Sequence, residues 1–160
     1  MQNAKNEIIK ISWEDFERVV KAIDEKCNIK SFDYILAVTR GGWIPSVILS
    51  NKHGKEILPF QIRVTANDEP NADKNKPAIG QNIDFGILKN KRILVVDDIF
   101  GSGLTLNHVK KEILKFKPAA ILTAVCYMNI NNYKNEYNLP DIIGKEENGW
   151  VIFPWESKGR

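Results

Sequence analysis

The segment from Arg92 to Thr105 constrains the fold of this chain more than any other part. It begins with an apolar run, Ile93 to Val96, which is typical of a strand that is buried on both faces. Asp97 and Asp98 follow at the carboxyl end of that run, and a turn of small residues then leads into a helical pattern. A buried strand that continues into a helix predicts an α/β fold with parallel strands.

The turn itself, Gly101-Ser102-Gly103-Leu104-Thr105, has the composition of an anion-binding loop. Glycines let backbone N–H groups converge on an anion, and the two hydroxyls add donors. The N-terminus of the following helix favours a phosphate at the same point. Ligands of open α/β sheets bind outside the carboxyl ends of the strands. We therefore expect a ligand with hydroxyls for the acids and a phosphate for the turn, and a ribose 5-phosphate fits.

The two adjacent acids admit a simpler interpretation, in which they only end the strand. That interpretation does not explain why two carboxylates that repel each other stand side by side, which favours a ligand or a metal. Two other nucleotide motifs are absent from the sequence, since it contains neither G-x-x-x-x-G-K-[ST] nor G-x-G-x-x-G after the first core strand.

The rest of the chain alternates between strand-like and helix-like patterns. We expect strands near 32–38, 57–64, 91–98 and 119–128, helices near 12–26, 43–53 and 104–116, a polar mobile loop at 66–82, and one or two short strands within 141–155. Such an alternation predicts a central parallel sheet flanked by helices.

Length and composition predict one domain that spans residues 1–160. A net charge of +3 without a basic stripe argues against nucleic acid as a partner. No apolar run approaches the length of a membrane span, and the N-terminus lacks a signal-peptide core, which predicts no membrane association and a cytoplasmic location. Cys27 and Cys126 are expected to be buried packing residues.

A second candidate site follows the first core strand, at Thr39-Arg40-Gly41-Gly42. The glycines allow a ligand to approach the backbone closely, and the Arg40 guanidinium can pair with phosphate oxygens. Taken alone, this pattern also fits an ordinary turn between a strand and a helix.

The strand, acid pair and turn of residues 92–105 resemble the phosphoribosyl pyrophosphate (PRPP) motif of the type I phosphoribosyltransferases. The Thr39–Gly42 turn is similar to the pyrophosphate loop of the xanthine-guanine and hypoxanthine branch. The resemblance implies that Arg40 and this turn hold pyrophosphate. It also implies that Asp97 and Asp98 hold the ribose and Mg²⁺, the metal through water, and that the 101–105 turn holds the 5-phosphate.

The tail resembles the W-[IV]-x-x-P-W-[DE] ending of small bacterial members of that branch. It implies that Trp150 stacks on a purine, that Val151 offers main-chain contacts, and that residues 129–156 form a small hood. Aromatics of a last strand can equally fill the core. At two positions that would contact the base, the sequence differs from the usual 6-oxopurine members of the family. Gly101 stands where they have an Asp that faces the purine N7, and Tyr127 stands where they have a Lys that contacts the 6-oxo group.

The implied activity is transfer of a 5-phosphoribosyl group from PRPP to a purine (guanine, xanthine or hypoxanthine). The products are a nucleoside monophosphate and pyrophosphate, as in purine salvage, and the implied assembly is a homodimer or homotetramer. Two alternatives remain open at this point. One is a regulatory protein that binds PRPP or a nucleotide, and the other is a transferase for a non-purine or unusual base.

Overall fold

Strands and helices alternate along the described residues of this computed structural model, which are 7–63, 78–79 and 83–156. The strands are β1 (Ile8–Lys10), β2 (Tyr34–Thr39), β3 (Glu56–Arg63), β4 (Ala78–Ile79), β5 (Arg92–Phe100), β6 (Ala120–Asn129), β7 (Ile142–Glu147) and β8 (Trp150–Ile152). The helices are α1 (Trp13–Lys26), α2 (Trp43–His53) and α3 (Leu104–Leu114).

Six strands form the main sheet in the order β4-β3-β2-β5-β6-β7. The five longer strands run parallel, and β4 pairs with β3 in the antiparallel direction. Strands β1 and β8 form a separate two-stranded parallel sheet. The predicted α/β fold with a central parallel sheet flanked by helices is confirmed.

Apolar side chains cover both faces of the central strand, as its sequence predicts. Ile93 to Val96 are fully buried. One face packs against α1, α2 and the tail, where Phe16 and Phe153 belong to the same cluster. The other face packs against α3 and the turn Phe85–Leu88. Burial on both faces explains why β5 lacks an alternation of apolar and polar residues.

Two helix boundaries are set by local chemistry. The Ser12 hydroxyl accepts a hydrogen bond from the Asp15 backbone N–H at 3.1 Å, which caps α1. Helix α2 ends before Gly54, whose φ of 63° lies in the left-handed region that glycine adopts without strain. Both cysteines are buried and free, which confirms the expectation for them.

The end of the central strand and the last part of the chain differ from expectation. Strand β5 continues to Phe100, two residues past the predicted end at Asp98, so the acid pair lies within the strand and not at its last two positions. Strand β7 belongs to the main sheet, and only β8 of the expected 129–156 hood pairs outside that sheet. Its partner there is β1, which the sequence patterns did not predict. The expected 66–82 loop lies outside the described residues, except for Ala78–Ile79 in β4.

The described helices are short, at 14, 11 and 11 residues. None of the helices within the described ranges is long and apolar enough to cross a membrane.

An ion cluster between α1 and α2 makes a pH-dependent contribution to the free energy of unfolding. Asp24 accepts hydrogen bonds from Lys52 and from His53 Nε2, the latter at 2.5 Å, and its side chain is only 9% exposed. Burial raises the pKa of Asp24, but the hydrogen bonds from Lys52 and His53 outweigh it and leave that pKa below its ordinary value. A carboxylate with a lowered pKa in the folded state stabilises the protein above its unfolded-state pKa, and this stabilisation is lost as pH falls through the folded-state pKa.

We expect Asp24→Asn to lower the free energy of unfolding at pH 7 by about 1–3 kcal/mol, because two donors lose a charged acceptor. The difference from wild type should shrink as pH falls toward the lowered pKa of Asp24. Urea unfolding between pH 7 and pH 3 measures it, with Glu25→Gln on the exposed side of α1 as control. An Asp24→Asn protein as stable as Glu25→Gln at pH 7 would contradict this expectation.

Candidate active site

The two predicted turns meet because the pairing between β2 and β5 ends before β5 itself ends. The ladder between β2 and β5 ends at the pair Ala37–Val96. The ladder between β5 and β6 continues to Phe100–Met128. Residues 97–100 therefore extend past the last pair with β2, beside the turn that leads from β2 into α2. This stagger brings the acid pair next to Thr39–Gly42.

Gly41 and Asp98 are in direct contact across this gap. A methyl group placed on the Gly41 Cα would lie 2.1 Å from Asp98 Oδ2 and 2.3 Å from Oδ1. Only a residue without a side chain allows the carboxylate to occupy that position. The contact shows that the Thr39–Gly42 turn and the acid pair lie against each other.

The acid pair carries more negative charge than its surroundings readily tolerate. The Asp97 side chain is buried, and Asp98 is half-buried. Burial, and next the charge of Asp98, raise the pKa of Asp97 well above its usual range, while burial also raises the pKa of Asp98. Asp97 Oδ1 accepts a hydrogen bond from the Asp98 backbone N–H at 2.9 Å, which orients the carboxylate. A cation or a ligand with hydroxyl donors would offset the repulsion between the two acids.

The turn after β5 presents backbone N–H groups at the start of α3. Gly103 precedes the helix with a φ of 93°, and a methyl group on it would lie 2.9 Å from the Phe100 ring. No side chain of the described residues caps this helix end. The Leu104 N–H makes only a long hydrogen bond of 3.4 Å to Ser102 Oγ, and the Thr105 side chain is half-buried. Uncapped N–H groups at a helix N-terminus are suited to a phosphate.

The turn after β2 is built from the four residues that the sequence singled out. Thr39 Oγ1 donates to the Phe60 carbonyl at 3.2 Å, and the peptide between Thr39 and Arg40 is cis. The Gly42 N–H donates to the Val38 carbonyl at 2.8 Å, which closes the turn. The Arg40 side chain is exposed and therefore accessible to a ligand.

The tail brings one exposed aromatic ring to the small sheet, and the strand that carries it pairs on one side only among the described residues. The Trp150 side chain is 60% exposed. The Trp150 N–H donates to the Glu7 carbonyl, and the Ile152 carbonyl accepts from the Ile11 N–H. Since alternate residues of a parallel strand bond to the same side, the main-chain groups of Val151 point away from β1. Among the described residues β8 pairs only with β1, and Val151 itself is buried, with 4% of its surface exposed.

Trp155 takes the packing role that the tail also allows. Its ring stacks on Phe153 with centroids 4.5 Å apart and meets Phe16 edge-on at 4.8 Å. Each interpretation of the tail therefore applies to a different tryptophan. Trp155 is partly buried against the core, while Trp150 is exposed.

The structure does not support Tyr127 as a base-binding residue. Its side chain is fully buried and packs edge-on against Phe153 at 5.6 Å. Burial raises the pKa of Tyr127, and its hydroxyl has no hydrogen-bond partner among the described residues. The prediction was wrong because the position lies where α1 and the tail pack over β6, which sequence spacing along one strand does not reveal.

A segment between β6 and β7 that the sequence patterns did not single out packs against the turn of residues 101–105, called the phosphate turn below. The Phe100 and Tyr133 rings pack with centroids 5.7 Å apart. A methyl group on Gly103 would lie 3.2 Å from Tyr137 Cβ, and Tyr133 Oη donates to the Tyr137 carbonyl at 2.8 Å. Tyr133 and Tyr137 could have indicated this contact in the sequence, because two aromatic rings in an otherwise polar connection suggest that the connection packs against the rest of the protein.

Comparison with known proteins agrees with this geometry. The family model described as the phosphoribosyl transferase domain matches residues 9–158. The chain belongs to the phosphoribosyltransferase family. A purine phosphoribosyltransferase from Pyrococcus horikoshii superposes on this phosphoribosyltransferase with a TM-score of 0.82 and 30% identity, over 96% of this chain and 97% of that one.

Two curated relatives extend the comparison. The xanthine-guanine phosphoribosyltransferase of Gluconobacter oxydans is 24% identical over 155 residues, which are 92% of this phosphoribosyltransferase and 83% of the relative. The xanthine phosphoribosyltransferase 1 of Saccharomyces cerevisiae is 25% identical, over 97% of this chain and 92% of the relative. The similarity thus covers both turns, the central strand and the tail.

Proposed function

We propose that this phosphoribosyltransferase transfers the 5-phosphoribosyl group of PRPP to a purine base in purine salvage, with guanine, xanthine or hypoxanthine as the favoured acceptors. The observation that carries the proposal is the contact between Gly41 and Asp98, which joins a pyrophosphate-type turn to an acid pair and a phosphate turn. PRPP has pyrophosphate, vicinal hydroxyls and a 5-phosphate in that order around one sugar. The purine relatives support the choice of base.

Each part of the proposed site has a separate task. Thr39, Arg40, Gly41 and Gly42 hold the pyrophosphate, and the turn from Gly101 to Thr105 holds the 5-phosphate. Asp97 and Asp98 accept hydrogen bonds from the ribose hydroxyls. Trp150 covers one face of the base and Val151 binds its edge through main-chain groups, which places the acceptor nitrogen over the anomeric carbon. Fixing both reactants in this way lowers the entropic part of the barrier.

The residues fit Mg²⁺ as the cofactor. No group of three or more His, Cys, Asp or Glu side chains in the described ranges could hold a metal by itself. Mg²⁺ typically keeps several waters and binds through one or two carboxylates and substrate phosphates, which Asp97, Asp98 and the pyrophosphate would provide. When bound, it neutralises negative charge on the pyrophosphate.

The chemistry requires that charge at the departing pyrophosphate be stabilised while the bond to the anomeric carbon breaks. The guanidinium of Arg40 supplies positive charge and directed donors there. The two carboxylates orient the sugar and stabilise positive charge that develops on it. A closed site would also exclude water, which would otherwise take the phosphoribosyl group.

We expect Arg40→Ala to lower turnover about 100-fold while base affinity changes little, because Arg40 acts on charge that grows as pyrophosphate leaves. Steady-state kinetics with PRPP varied and then base varied separates the two effects. Arg18→Ala on the exposed face of α1 is the matched control. Normal turnover in the Arg40→Ala enzyme would remove this residue from the site.

A panel of bases tests the purine assignment. The protein is incubated with PRPP, Mg²⁺ and one of guanine, xanthine, hypoxanthine, adenine, uracil or orotate, and nucleotide is quantified. The proposal predicts that one or more 6-oxopurines are converted and that the two pyrimidines are not. Conversion of a pyrimidine alone would refute the choice of base while leaving the transferase activity in place.

A further inference from the structure

A short turn after β6 connects the phosphate turn to the strand that carries Trp150. The turn Ile130–Asn132 is held by Asn129, whose Oδ1 accepts from the Asn131 N–H at 3.1 Å. The buried Asn129 Nδ2 donates to the Gly149 carbonyl at 3.0 Å, and Asn131 Nδ2 donates to the Asn148 carbonyl. These bonds fix the turn to the start of β8.

Asn132, the last residue of this turn, lies beside Gly101. A methyl group placed on Gly101 would lie 3.7 Å from Asn132 Cβ and 3.8 Å from its Nδ2, which is ordinary van der Waals contact. The Asn132 side chain is exposed, and its amide makes no hydrogen bond within the described part of the chain. Since Gly101 has no side chain, an amide at this position can reach a ligand that passes between the phosphate turn and Trp150.

The proposed function places a purine at that junction. If the main-chain groups of Val151 bind one edge of the base, the opposite edge points away from β8 and toward the phosphate turn. In guanine and its nucleotides the edge outside the Watson–Crick face presents N7 and O6, both of which accept hydrogen bonds. A carboxamide nitrogen donates two hydrogen bonds. The chemistry of Asn132 therefore complements this edge.

We propose that the Asn132 carboxamide donates a hydrogen bond to N7 of the purine and so selects and orients the base, an inference that rests on the proposed function. Asn132 carries no charge and accepts no proton at neutral pH. The proton that the base loses on forming the new bond to the sugar therefore does not pass to this side chain. Asn132 is a specificity residue that binds the base without taking part in proton transfer.

The test compares two ligands that differ only at the proposed contact. The affinities of the full chain for GMP and for 7-deaza-GMP, in which a C–H group replaces N7, are measured by isothermal titration calorimetry. Wild type should bind GMP about 3- to 10-fold more tightly, as one hydrogen bond allows. Asn132→Ala should bind the two nucleotides equally. Asn138→Ala, an exposed asparagine of the same segment, should keep the wild-type ratio.

The outcomes separate this inference from the proposed function. If wild type binds GMP more tightly than 7-deaza-GMP and Asn132→Ala retains that ratio, Asn132 does not contact N7 and the inference is wrong while the purine assignment stands. If wild type binds neither nucleotide, the purine assignment and the inference both fail. Because Asn132 is exposed, Asn132→Ala should unfold at the wild-type temperature, and the ratio cancels any general loss of affinity.

Discussion

Asp98→Asn should weaken PRPP binding by about 10- to 100-fold while the protein stays folded. The carboxylate accepts charge-assisted hydrogen bonds, and each such bond is worth about 1.5–3 kcal/mol. The substitution also removes the repulsion that raises the pKa of Asp97, so the folded protein should not lose stability. Calorimetric titration with PRPP in the presence of Mg²⁺ measures the affinity, and thermal unfolding measures the stability.

The matched control for Asp98→Asn is Asp33, which directly precedes β2 and contacts the opposite end of β5. Asp33 Oδ2 accepts a hydrogen bond from the Arg92 N–H at 2.7 Å, and an asparagine can retain that bond. Asp33→Asn should therefore leave PRPP affinity unchanged. If both variants bind PRPP as wild type does, Asp98 has no role in holding the ribose or its metal.

Gly41→Ala should weaken PRPP binding at least as strongly as Asp98→Asn does. The added methyl group would overlap the Asp98 carboxyl group, whose three atoms would all lie within 2.3 Å of it. Either the carboxylate or the turn must move, and both belong to the site. We expect turnover to fall at least 100-fold, as misplacing one group by about 1 Å can do, with little change in unfolding temperature because Gly41 is not in the core.

Gly86→Ala provides the same chemical change away from the site. A methyl group on Gly86 would lie 2.9 Å from Asp84 Oδ1, on an exposed turn before β5. That carboxylate is free to shift into solvent, so PRPP affinity and turnover should be preserved. An active Gly41→Ala enzyme would show that the contact with Asp98 is not part of the binding site.

The sequence predicted those parts of the molecule that depend on neighbours along the chain. Helix α2 has the predicted bounds because Gly54 must follow its last turn. The phosphate turn was visible because its glycines and hydroxyls lie within five residues. The buried strand was visible because four consecutive apolar residues need cover on both faces.

The parts that escaped prediction depend on residues far apart in sequence. The extension of β5 to Phe100 comes from its pairing with β6, which continues further along β5 than its pairing with β2 does. The small sheet joins β1 to β8 across most of the chain. Tyr127 is buried because α1 and the tail pack over it, and Asn132 reaches Gly101 because two other asparagines hold its turn.

The most direct test of the central claim is the stoichiometry of the complete reaction. The protein is mixed with PRPP, Mg²⁺ and an equimolar mixture of guanine, xanthine and hypoxanthine, and pyrophosphate and nucleoside monophosphate are measured in the same samples over time. We predict that the two products appear in a 1:1 ratio and that both form at least about 100-fold more slowly with the Gly41→Ala protein. Tight binding of PRPP by the wild-type protein without formation of any nucleotide would contradict the account and would indicate a protein that binds PRPP for regulation.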